Sequence, residues 1–201
     1  MTIHLGQPIH GRKPMSTYTV AVIVGSLRKD SFNRLVAKAL AELSPPELKY
    51  EFVEIGDLPH YNQDIDAEGT PPQAWVRFRQ QIKAADAVLF VTPEYNRSIP
   101  GVLKNAIDVG SRPYGSSAWD KKPGGVISVS PGAIGGFGAN HHLRQCLVFL
   151  NVFPLQQPEA YLGGAAELFD EAGKLKNERT RDFLKNYGVA LSKWVQTHKA
   201  G

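Results

Sequence analysis

Ser26, Arg28, Ser31 and Asn33 stand close together in the chain. Between them they offer hydroxyl, amide and guanidinium donors, the guanidinium able to bind an anion through two nitrogens. An uninterrupted apolar run, Val20 to Val24, precedes them and is broken at Gly25. After them Phe32, Leu35, Val36, Ala39, Leu40 and Leu43 recur at helical spacing. A buried strand, a tight polar loop and a helix start bring unpaired backbone N–H groups and the positive end of a helix dipole to one point, which is the chemistry of phosphate binding. The loop lacks the Gly-Lys-Ser/Thr ending of a triphosphate loop, and it carries one glycine where the dinucleotide fingerprint needs three. An ordinary helix cap at Ser31, with Arg28 and Lys29 solvated, is the alternative.

Two further loops follow apolar runs. Ala87 to Val91 opens into Pro93-Glu94-Tyr95-Asn96-Arg97-Ser98 and a helix from about Val102 to Val109. Just past the carboxyl end of a central strand is where open α/β sheets bind ligands, although a Pro-initiated turn with Tyr95 as a packing aromatic would look the same. Gly125 to Val129 opens into Ser130-Pro131-Gly132-Ala133-Ile134-Gly135-Gly136-Phe137-Gly138, followed by a helix from about Ala139 to Asn151. So many glycines imply backbone lying against something flat or crowded, or else a long flexible lid. His60 and Asp64 have no further ligand at metal-binding spacing and read as a solvated loop, with no metal expected. Asp170 and Glu171 read as surface charges.

Around these loops the chain alternates strand and helix. A second strand is expected over Lys49–Ile55, a long polar loop over Gly56–Pro72, and a helix with Trp75, Phe78, Ile82 and Ala85 on its inner face. A polar loop spans Ser111–Lys122, a short fifth strand lies near Gln157–Tyr161, and another loop covers Gly163–Lys176. An amphipathic helix, Arg179–Val195, ends the pattern. Alternation without repeat or linker implies a flavodoxin-like α/β fold, a doubly wound five-stranded parallel sheet with helices on both faces. Residues 17–201 form that single domain, and residues 1–16 read as a flexible extension.

The chain has 201 residues, 42% hydrophobic and 21% charged, with a formal charge of +4. The charge is mild and scattered, without the basic helix or interleaved aromatics of a nucleic-acid binder, and suits anionic small molecules. No apolar run is long enough to span a membrane, so neither nucleic acid nor membrane is an expected partner, and the expected location is cytoplasmic. The one cysteine, Cys146, lies in an apolar helical run and reads as a core thiol.

Taken together, Gly25-Ser26-x-Arg28-x-x-Ser31-x-Asn33 and Pro93-Glu94-Tyr95-Asn96-x-Ser98-x-Pro100-Gly101 resemble the NAD(P)H-dependent FMN reductase family, a flavodoxin-like group that includes bacterial quinone and chromate reductases. Leu103-Lys104-Asn105-Ala106-Ile107-Asp108, the loop Ser130 to Gly136 and His142-Leu143-Arg144-Gln145 are similar to it as well, and the likeness runs from about Tyr18 to Trp194. It implies that Ser26, Arg28, Ser31 and Asn33 hold the FMN phosphate. Pro93, Glu94, Tyr95 and Asn96 would lie along the ribityl chain and ring, largely through backbone groups. Ser130, Gly132, Gly135 and Gly136 would border the flavin from the other side. FMN would then carry hydride from NAD(P)H, the co-substrate, to small-molecule acceptors such as quinones or chromate. No catalytic acid or base is expected, and Glu94 is expected to be structural. Arg97 departs from the family, which often carries an aromatic residue there, and is the candidate acceptor-facing residue.

The resemblance also implies a homodimer or homotetramer. The helix with Leu103, Ile107 and Val109 lies where a partner could wall the site, and His142, Arg144 and Glu159 are candidates for contacts between subunits. A flavodoxin-type electron carrier serving a protein partner is the first rival, opposed by the basic balance and by Arg28. A flavin-free binding module on the same fold is the second.

Overall fold

Residues that are apolar on both faces of a strand can be satisfied only in the middle of a covered sheet. In the computed structural model, which describes residues 16–67 and 69–199, three such strands form the centre: β1 (Tyr18–Val24), β3 (Ala87–Thr92) and β4 (Pro123–Val129). With β2 (Leu48–Val53), β5 (Phe153–Pro154) and β6 (Ala160–Leu162) they make one parallel sheet in the order β2-β1-β3-β4-β5, with β6 also pairing with β4. The expected extension, residues 1–16, lies outside the described residues except for Ser16.

Alternation along the strands divides the core. Val20, Val22, Val24, Leu89, Val91, Ile127 and Val129 face α1 (Phe32–Leu43) and α6 (Glu178–Lys199). Ala21, Ile23, Val88, Phe90 and Val126 face α3 (Gln73–Ala84), α4 (Gly101–Gly110) and α5 (Phe137–Phe149). The doubly wound, flavodoxin-like arrangement is therefore as expected. Among the described residues no helix is long and apolar enough to cross a membrane.

Several local expectations need correction. The fifth strand is split in two, β5 and β6, because Pro154 and Pro158 have no N–H to give a ladder and the chain leaves the sheet between them. The long loop after β2 contains a short helix, α2 (Gln63–Ala67), and is pinned by tertiary bonds. Asn105 Nδ2 donates to the carbonyls of Leu58 and Pro59, and its Oδ1 accepts from Tyr61 N–H at 2.8 Å. Arg79 reaches Asp66 with both terminal nitrogens. The expected loop over Gly163–Lys176 carries a 3₁₀ turn, Ala165–Glu167, and a bridge between Phe169 and Leu175, with Ala165, Phe169 and Leu175 buried in the core.

Cys146 is not in the core. Ala139, Leu143 and Leu147 take the inner face of α5, which leaves Cys146 on its flank, partly exposed. Partial burial pushes its thiol up, so it stays protonated at neutral pH.

Candidate functional site

Parallel strands present all their carboxyl ends at one edge. Val24 is level with Val91, and Thr92 with Ser128, so the loops after β1, β3 and β4 leave the sheet side by side. Two strand spacings separate the outer pair, about 9–10 Å. The chain crosses to opposite sides after β1 and β3, which makes this crevice the switch point of the sheet.

In the first loop Ser26, Ser31 and Asn33 are almost fully buried, at 4%, 3% and 5% exposure. Ser31 Oγ caps α1 by accepting from Arg34 N–H at 3.3 Å. No backbone N–H from Ser26 to Ser31 finds an acceptor among the described residues, and Asn33 Oδ1 is buried without a partner. Leu27 to Asp30 are exposed and leave their N–H groups open to solvent or a ligand, whereas the Asn33 Oδ1 is buried, where a folded chain rarely leaves a polar atom unpaired. Free donors at a helix N-terminus, with an orphaned side-chain acceptor beside them, fit a phosphate ester that carries hydroxyl groups. Arg28 is exposed and lines a cavity of about 450 Å³ with Lys29, Arg34 and Lys38 on the outer side of this loop. Gly25 is needed for close approach, since a Cβ there would sit 3.1–3.3 Å from Leu103, Thr92 and Pro93.

The second loop is a tight turn. Tyr95 and Ser98 exchange backbone hydrogen bonds of 2.9 and 3.0 Å, and Asn96 (φ 52°) and Arg97 (φ 66°) both adopt left-handed backbone. That combination is type I′ geometry, in which glycine is the usual second residue. Asparagine tolerates it, whereas arginine stores about 1 kcal/mol of strain. Tyr95 is half-exposed. The Arg97 side chain is largely in solvent, with Nη1 3.9 Å from Glu94 Oε1. Glu94 itself points away from the mouth, its Oε2 accepting from Ala139 N–H at 2.9 Å.

The third loop folds on itself. Ser130 Oγ accepts from Gly132 N–H, and Ser130 N–H donates to Leu162. Gly135 (φ 64°) lies so close to β6 that a Cβ would come within 2.7 Å of the Tyr161 carbonyl carbon. What crowds Gly135 and Gly136 is thus the protein itself, β6 and Ser128, while Gly132 has space around it. Ile134 and Phe137 are exposed.

Sequence reasoning missed the supports beneath this wall. Asn140 is fully buried, donates to Ser128 Oγ and to the Ala160 carbonyl, and accepts from Arg144 Nε. Arg144 also holds the Leu155 carbonyl, while its Nη2 is buried without a partner among the described residues. His142 bonds Ser98. Leu103, Ile107 and Val109 are buried in the core and cannot face a partner. The exposed apolar residues on that side are Tyr114, Val148 and Phe149. A signal for Asn140 existed, since it lies one residue after Ala139 at the start of the inner face. Arg79 could also have been found, as a charge set between Phe78 and Ile82. Among the described residues no group of His, Cys, Asp and Glu gathers as a metal site.

Comparison with known proteins bears on this edge as a whole. Residues 18–167 match the model of a family described as NADPH-dependent FMN reductase. A quinone reductase from Pseudomonas putida is 64% identical over 183 residues, 91% of this chain and 97% of its own length. A 2-hydroxy-1,4-benzoquinone reductase from a Burkholderia species is 46% identical over 180 residues, 90% and 97% of the two chains. Among solved structures, FerB, a flavoenzyme NAD(P)H:(acceptor) oxidoreductase from Paracoccus denitrificans, superposes with a TM-score of 0.84 at 43% identity, covering 90% of this chain and 99% of its own.

Proposed function

This chain belongs to the NADPH-dependent FMN reductase family and is an FMN-dependent NAD(P)H:quinone reductase, and we propose that its three carboxyl-edge loops hold the flavin between them. The observation that carries this assignment is the set of unpaired donors from Ser26 to Ser31 beside the orphaned Asn33 Oδ1. When bound, FMN supplies a ring whose N5 accepts hydride from NAD(P)H and returns it to the acceptor. The chain's own residues bind and orient. The Ser26 and Ser31 region takes the phosphate through backbone N–H groups and the end of α1, and Arg28 closes over it from solvent. The backbone from Pro93 to Asn96 forms one wall and the loop from Ser130 to Gly136 the other. Tyr95, Ile134 and Phe137 offer apolar surface at the mouth, suited to a flat quinone that completes its reduction with a proton from water.

The purified protein is expected to be yellow with FMN, and its visible absorption should bleach when NADH or NADPH is added without oxygen and recover when a quinone follows. A colourless protein that takes up no FMN would overturn the assignment.

A strained arginine at the mouth supports a role toward anions. Arg97 draws in NAD(P)H, by its pyrophosphate, and anionic acceptors such as chromate, mainly through encounter rate. Arg97→Ala is expected to lower kcat/KM several-fold for chromate, and for NADH at low ionic strength. The difference should fade as salt shortens the screening length to about 10 Å near 0.1 M. Reduction of a neutral quinone should change little. Equal losses for chromate and neutral quinone would mean that the substitution only disturbs the turn.

The exposed Tyr114, Val148 and Phe149, with Tyr114 and Phe149 around a cavity of about 380 Å³, support a homodimer, or a homotetramer built from it, through the α4–α5 side. Light scattering at micromolar concentration reads the state directly, and a monomer there contradicts it.

A further inference from the structure

We propose that Glu94 and His142 are positioning residues that clamp the Tyr95–Ser98 turn onto the start of α5, so that the two loops flanking the flavin keep one fixed spacing. The proposal rests on the FMN assignment above for its functional meaning, though not for its geometry.

Helix α5 opens after Gly136, which has left-handed backbone and no side chain with which to cap the exposed N–H groups. Glu94 fills that role from the loop after β3, with Oε2 accepting from Ala139 N–H at 2.9 Å. The other end of the turn is fastened as well, Ser98 Oγ lying 2.7 Å from His142 Nδ1. Ala139 offers its backbone N–H and His142 its side chain one turn later, so both fasteners engage the N-terminal half of α5.

Gly138 lies beside the first of them. A Cβ there would stand 2.9 Å from Glu94 Oε2 and 3.1 Å from the Arg97 carbonyl, so the turn rests on the helix with no room for a methyl group. The turn is itself stiff, because Tyr95 and Ser98 exchange two backbone hydrogen bonds. A stiff clip held at both ends transmits the position of one wall to the other. The wall on the α5 side is anchored in turn by buried Asn140, through Ser128 and the Ala160 carbonyl.

A competing role for Glu94 is purely electrostatic, through its charge near Arg97 Nη1 at 3.9 Å. The two roles separate with Glu94→Ala and Glu94→Gln, because a glutamine oxygen accepts the same N–H without the charge. In the full-length chain without FMN, hydrogen exchange at the Ala139 amide should speed up about tenfold in Glu94→Ala and stay near the parent rate in Glu94→Gln. The FMN dissociation constant should rise about tenfold in Glu94→Ala and no more than about threefold in Glu94→Gln. His142→Ala should move both readouts in the same direction by less. Gly138→Ala should reproduce the Glu94→Ala pattern, which keeps the test open if Glu94→Ala folds poorly.

The clamp is overturned if Glu94→Gln is as impaired as Glu94→Ala, which would assign the effect to charge. It is overturned equally if Ala139 exchanges at the parent rate in Glu94→Ala. The exchange measurement needs no flavin, so a parent chain that failed to bind FMN would sink the FMN assignment while leaving the clamp measurable.

Discussion

Replacing Asp66 by alanine should destabilise the protein by about 3–5 kcal/mol, the cost of leaving one member of a buried ion pair alone. Asp66 and Arg79 retain only 5% and 10% side-chain exposure. Their contact is two-pronged, at 2.9 and 2.8 Å. Arg79 Nε also donates to the Val109 carbonyl at 2.8 Å, and its guanidinium lies 5.6 Å from the Trp75 ring. Without Asp66 the guanidinium keeps its charge in a dry setting with only a carbonyl and a ring for company. Urea unfolding measures the loss. A matched apolar pair, Asp66→Leu with Arg79→Met, should recover most of it, since a buried ion pair is worth little more than well-packed side chains. A loss below about 1 kcal/mol in Asp66→Ala would mean that water reaches the pair. The pair ties α2 to α3 and α4, so the same variant should also open the segment from Gly56 to Ala67 to proteolysis.

FMN affinity should fall at least tenfold when Arg28 becomes alanine. A charge-assisted hydrogen bond contributes about 1.5–3 kcal/mol, and Arg28 is exposed, so the lower end of that range applies. Arg28→Lys keeps the charge and loses the planar fork, and it should recover only part of the affinity. The loss should shrink as salt rises. Flavin fluorescence quenching on titration gives the constants. Affinity unchanged in Arg28→Ala would leave the phosphate to the backbone N–H groups and buried hydroxyls alone, and would place Arg28 with Lys29 among the solvated charges.

Much of the fold was legible because burial leaves a mark in residue type. Val20–Val24 and Ala87–Val91 are apolar without alternation, and Gly125–Val129 is so apart from Ser128, as a doubly covered parallel strand requires, and each is followed by a polar loop and a helical period. Parallel connection then brings the three loops to one edge whatever their distance in the chain, so the candidate site followed from the strand pattern. Elements held by distant partners left no such mark. Nothing local marks α2, which stands on Arg79, nor the split of the last strand, where two prolines interrupt a ladder only once β4 is beside them. Cys146 shows the limit of periodicity, since an apolar run can face inward at several positions and only packing against the sheet chose Ala139, Leu143 and Leu147.

The sequence by itself determined the class of sheet, the three loops and the polar groups they carry, because hydrophobic period and glycine placement are local properties of the chain. Only the tertiary structure decided where those groups point. Asn33 Oδ1 is left without a partner, Glu94 turns to the N-terminus of α5, and Arg144 bonds Asn140 and the Leu155 carbonyl with its Nη2 left unpaired. A hydrogen bond is directional and short, and the partner of Glu94 lies 45 residues away in another element. Its destination is therefore set by the packed geometry of the sheet, which no local pattern encodes.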